Sequence, residues 1–177
     1  MLFTERSLWT MVHGIGLGGG AMLGLGAALF FLYAARSSSV TSPPPPNASG
    51  AVAGLTVLTA LTLWLTVLVG TFIVFPPYRA TPPAGTTDLA QFPRSALTAN
   101  PDTAWLHAFA METKEHAPWI AAMLATAVAF VAVRYGSKLL TDAALRNTAI
   151  MLLAICLALV SCVSLLGVFV NKVAPLQ

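Results

Sequence analysis

Residues 51–75 read AVAGLTVLTALTLWLTVLVGTFIVF, a stretch without one ionisable side chain. A helix that crosses the roughly 30 Å hydrocarbon core of a bilayer needs about 20 apolar residues, so this stretch predicts a membrane-spanning helix. Its threonines, Thr56, Thr59, Thr62, Thr66 and Thr71, are compatible with that, because a hydroxyl can bond a carbonyl one turn back or a neighbouring helix. Pro76 and Pro77 stop the run, and Tyr78 and Arg79 suit the membrane interface.

Working outward, three further runs have the same character: 8–35, 117–134 and 148–170. Across all 177 residues only 8% are charged, against about 25% in soluble domains, and mean hydropathy is +0.80. The expected fold is all-α: one integral membrane four-helix bundle in contact with the lipid bilayer, with an extra interfacial or extended helix over 102–116. The first run has no short apolar core followed by a convincing cleavage site, so it reads as a retained helix rather than a secretory signal. The net charge of +3 is spread without a basic cluster, which gives no nucleic-acid footprint.

Two connectors are long. Residues 36–50 are rich in serine and proline and read as a linker. Residues 76–101 contain Pro82, Pro83, Gly85 and Pro93 without clear periodicity, and loops of this size are often functional. Asn100-Pro101 supplies a helix start, an amide cap followed by proline in the first turn.

The first run carries His13 and seven glycines. Gly14, Gly16 and Gly19 spell a GxGxxG, but without a preceding strand or βαβ unit the dinucleotide reading fails. Gly16, Gly20 and Gly24, four apart, instead form a small-residue stripe that admits a close neighbour, and His13 shares that face. Such a face packs against another helix or beneath a flat group such as a porphyrin. Cys156 and Cys162 lie about 240° apart around the fourth helix and read as small core residues.

The densest chemistry is WLHAFAMETKEH, Trp105 to His116. As one helix it puts His107 and Met111 on one face and His116 about 180° away, beside Glu112. His107 and His116 therefore cannot both ligate one metal from one straight helix. Pro118 allows an alternative in which an interfacial helix ends near His116 and the third span begins afresh. Counting about 20 residues back from Arg134 puts His116 near the membrane boundary and His107 roughly 13 Å further out. Lys114, Glu112 and Glu115 then read as the solvated end of a helix.

With four spans, His13, His107 and His116 fall on the same side of the membrane. The charge in the short loop between the third and fourth spans leans toward that loop being cytoplasmic, which makes the histidine side periplasmic in a bacterial inner membrane. Two histidines on facing helices at one depth are what a b-type haem needs, and His13 with His116 is the best-matched pair, with His107 as the alternative ligand. Gly16 and Gly20 would lie under the ring, and Arg79 could meet a propionate. The functional expectation is a membrane subunit of a respiratory or other energy-transducing electron-transfer complex. It would hold one haem b and exchange electrons with quinone or quinol, or with a carrier. Two other readings are an accessory subunit packed against other subunits of such a complex, and a small transporter or metal-handling protein. The latter is weakened by uncharged second and fourth spans and by the lack of an inverted repeat.

Overall fold

The computed structural model describes residues 4–38 and 45–175. Six helices occur among these residues, and no strand. Four are long and apolar enough to cross a membrane: α1 (Glu5–Arg36), α2 (Ala48–Tyr78), α4 (Pro101–Tyr135) and α6 (Ala143–Val173). Two short ones complete the set, α3 (Pro93–Ala99) and α5 (Ser137–Thr141). The central residues of the Ser/Pro connector, 39–44, lie outside the described residues.

Local chemistry sets the ends. The Thr4 hydroxyl accepts from the Ser7 N–H at the start of α1, and the Asn100 side chain accepts from the Asp102 N–H ahead of Pro101. Asp142 accepts from the Ala144 and Leu145 N–H groups at the start of α6. Each side chain satisfies donors that a helix start leaves free. Gly136, at φ 42°, ends α4 in a left-handed conformation that costs glycine little.

Of the two forms the sequence allows around Pro118, the structure has the continuous one, with helix unbroken from Pro101 to Tyr135. Pro118 sits inside it. Because proline has no N–H, the Lys114 carbonyl lacks its usual donor four residues on.

α1 and α4 each pack against both α2 and α6. The buried face of α4 is Ala121, Ala122, Ala125, Val128, Ala129 and Ala132; side chains this small let helices approach closely where lipid offers no hydrophobic drive for association. Thr56, Thr59, Thr62 and Thr66 donate to carbonyls of α2 itself. The Trp64 indole N–H donates to Thr126 Oγ1 at 3.0 Å and its ring meets Trp119 edge-on, which ties α2 to α4. Cys156 is buried and Cys162 exposed.

Between α1 and α2 the pairing is antiparallel and regular. A side chain on Gly24 would run into Thr59, one on Gly20 would touch Thr62, and one on Gly70 would run into the ring of His13. His13, Gly20 and Gly24 thus share one face, as their spacing predicts, and α2 fills it. Gly16 has open space around it.

Two apolar cores result. The larger runs through the four long helices, from Leu32, Ala132 and Leu139 at one end to Ala21, Val67, Ala121 and Val160 at the other. The smaller, Tyr78, Leu97, Leu106, Ala110, Met111, Leu166 and Val170, joins the end of α2, helix α3, the start of α4 and the end of α6.

Candidate functional site: a polar layer between two cores

Where the two cores meet, α1, α2 and α4 each contain a π-helical segment: Val12–Gly18, Gly70–Val74 and Leu106–Met111. The widened turns of π-helix concentrate at functional sites. His13 lies in the first, Gly70 opens the second and His107 lies in the third.

The imidazole of His13 occupies the space that a side chain on Gly70 would fill, with its Cε1 only 2.6 Å from where that Cβ would stand. The Thr66 carbonyl approaches the ring, yet His13 Nδ1 is buried with no hydrogen-bond partner. From the other side comes Lys114, close enough to act electrostatically on His13. Its chain lies along α6, where the Nζ stands 2.9 Å from the position of a Cβ on Gly167. Two glycines, on α2 and α6, therefore make the room that a histidine and a lysine occupy. Lys114 forms no ion pair among the described residues.

The layer lies at a consistent depth. Lys114 is about 30 Å along α4 from Arg134, and Gly167 about the same along α6 from Arg146, at 1.5 Å per residue. That is one hydrocarbon thickness.

Beyond the layer, the Tyr78 hydroxyl and His107 Nδ1 are 3.0 Å apart. Arg94, Glu115 and Glu112 all lie within electrostatic reach of the phenol. Above His13 is a cleft of about 210 Å³ between the start of α1 and the end of α2, lined by Glu5, Arg6, Trp9, Ile73, Val74 and Pro77.

The sequence-derived pair is not assembled. His116 is exposed, and its Nδ1 lies 2.8 Å from the Glu112 carbonyl of its own helix. It follows Lys114 by two residues, which turns it about 200° away, so the inward position belongs to Lys114. On the glycine face, Thr59 of α2 stands where a side chain on Gly24 would be, and Thr62 lies 3.7 Å from one on Gly20, which is itself exposed. Gly16 is exposed. Arg79 places its guanidinium 5.3 Å from the Phe75 ring centre. His116 and Arg79 thus each meet neighbours on their own helices. Among the described residues no three His, Cys, Asp or Glu side chains gather in a way that could hold a metal ion.

Lys114, Gly70 and Gly167 are the members that sequence reasoning missed. Lys114 had a signal: it falls four residues after Ala110 and seven before Ala121, in register with the small buried face of α4. The two glycines carried none, since each is defined only by the side chain that another helix brings to it.

Comparison with known proteins finds no matching family model, no matching curated protein and no matching solved structure.

Proposed function

We propose that this chain is a membrane subunit of an energy-transducing electron-transfer complex in a bacterial inner membrane. The polar layer of His13 and Lys114 would face the periplasmic side and serve as the place where a redox ligand and its protons are handled. The observation that carries this reading is the pairing of two ionisable groups, from α1 and α4, in a layer closed above and below by apolar cores. Ionisable groups packed between apolar helices at the edge of the hydrocarbon are candidates for function. Among the described residues neither group has an acidic partner to make it a structural ion pair, and two glycines are given over to accommodating them.

Such a site suits a ligand that is neutral or anionic and accepts hydrogen bonds. Lys114 donates, and His13 donates through whichever ring nitrogen carries its proton, so the layer can hydrogen-bond electron density arriving on the ligand. Quinone chemistry meets this description. The redox metal centres of the complex would belong to partner subunits. The smaller core with α3 and the start of α4 would provide the extramembrane surface, where Trp105 and Phe109 are exposed.

The test is isolation of the chain from its native membrane in mild detergent, with partner analysis and a reduced-minus-oxidised optical spectrum. The expected result is co-purification with metal-bearing subunits whose reduction by quinol is lost in Lys114→Met. Purification as a lone chain, or unchanged reduction in Lys114→Met, would contradict the reading. A b-type band carried by the lone chain and lost in His116→Ala would favour the bis-histidine haem instead.

A further inference from the structure

We infer that the end of the bundle opposite the polar layer, where Arg36, Arg134, Lys138 and Arg146 gather, is a docking surface for the headgroups of anionic phospholipids in the adjoining leaflet.

Charge is divided unevenly between the two ends of the chain. On this side residues 36–50 and 134–147 hold those four basic residues and one acid, Asp142. The other end holds five basic residues and five acids, so the whole formal net charge of +3 resides at one end. Asp142 is engaged at the start of α6, where its carboxylate accepts from the Ala144 and Leu145 N–H groups.

The fold turns these charges into a surface. Helix α5 lies across this end of the bundle and packs against all four long helices. Its Leu139 and Leu140 are buried in the larger core, while Ser137, Lys138 and Thr141 are exposed. Arg146 anchors it from beneath: this side chain is 4% exposed, its Nη1 donates to the Leu140 carbonyl at 2.5 Å, and its Nε is buried without a partner. It lies too deep to touch a headgroup, but a buried charge is screened little by salt and adds to the field under α5. Arg36, Arg134 and Lys138 are exposed, and neither Arg134 nor Lys138 forms an ion pair among the described residues.

Depth selects the ligand. Arg134 and Arg146 stand about 30 Å from Lys114 and Gly167 along α4 and α6, one hydrocarbon thickness. Exposed Tyr33 and Tyr135, within a turn of Arg36 and Arg134, are side chains of the membrane interface. The lipid phosphate is the anion that a bilayer presents at this level, and guanidinium groups pair with it through parallel N–H bonds.

The test reconstitutes the full chain in phosphatidylcholine vesicles and compares the hold of the protein on spin-labelled phosphatidylglycerol and spin-labelled phosphatidylcholine. A basic side chain near the surface favours anionic lipid about fivefold, so a preference of about that size is expected at low salt. It should largely vanish in ~1 M sodium chloride, where the Debye length is about 3 Å. Arg134→Gln/Lys138→Gln should lose most of it and Lys138→Gln alone part of it, whereas Glu5→Gln/Arg6→Gln at the neutral end should keep it. Thermal melts confirm that each variant is folded. Equal hold on the two lipids in wild type, or an unchanged preference in Arg134→Gln/Lys138→Gln, overturns the proposal and leaves the basic end to an acidic partner chain. Loss of the preference in Glu5→Gln/Arg6→Gln places it at the wrong end and also overturns it. Displacement of the lipid by inorganic phosphate, but not by chloride at equal ionic strength, assigns a small-anion site instead.

Discussion

A side chain on Gly70 and the ring of His13 cannot occupy the same place: the Cβ would stand 2.6 Å from Cε1 and 3.2 Å from Nε2. Gly70→Ala must push the imidazole aside or force α1 and α2 apart. Overpacking of this kind costs about 1–3 kcal/mol, so the variant is expected to melt lower than wild type in detergent. Gly54→Ala is the control on the same helix, because a Cβ there meets nothing within 4 Å. Equal melting of the Gly70 and Gly54 variants would show that the two helices are not held at this distance.

The second close approach on α1 and α2 is Gly24 against Thr59, whose Cβ and Cγ2 would both lie 3.2 Å from an added methyl. Gly24→Ala is expected to cost about 1–3 kcal/mol, and Thr59→Ala in the same chain to restore part of it, since the pair is in contact and should not behave additively. Additive losses measured by thermal or denaturant unfolding would contradict the contact.

Lys114 packs against α6 at Gly167 and forms no ion pair among the described residues. Replacing it with methionine keeps most of the length of the side chain and removes an amine that forms no ion pair among the described residues, which relieves the cost of holding it between apolar helices. Lys114→Met should therefore melt at or above the wild-type temperature while its quinone binding falls. A loss of more than about 1 kcal/mol would mean that the ammonium has a stabilising partner, of the size a hydrogen bond supplies.

The hydrogen bond between the Tyr78 hydroxyl and His107 Nδ1, 3.0 Å long, joins the end of α2 to the start of α4. Its net worth is about 0.5–1.5 kcal/mol. A double-mutant cycle with Tyr78→Phe and His107→Ala should return a coupling of that size, and a coupling near zero would show that His107 is free to serve elsewhere.

Much of this was legible beforehand. The ionisable-free 51–75 stretch, the Asn100-Pro101 cap and the shared face of His13, Gly20 and Gly24 follow from length, local hydrogen bonding and helical period, all properties of one helix at a time. The residue of α4 that packs toward the bundle was harder to read. His116 drew attention as a metal-binding residue type, whereas the register of Ala110 and Ala121 points Lys114 inward and His116 outward. Gly70 and Gly167 belong to contacts between helices, and a single sequence without the fold does not state which residues face them. The π-helical turns that carry His13 and His107 likewise arise from packing between helices and have no local sequence signature.

The central claim is that His13 and Lys114 together hold a lipophilic redox ligand, and solvent extraction of the purified full chain tests it most directly. Quinone extracted from protein isolated from its native membrane is quantified against protein for wild type, His13→Phe and Lys114→Met, each checked for an unchanged helical fold. Close to one quinone per wild-type chain is expected, with at least a tenfold loss in both variants. Equal retention in all three, or none in wild type, would contradict it.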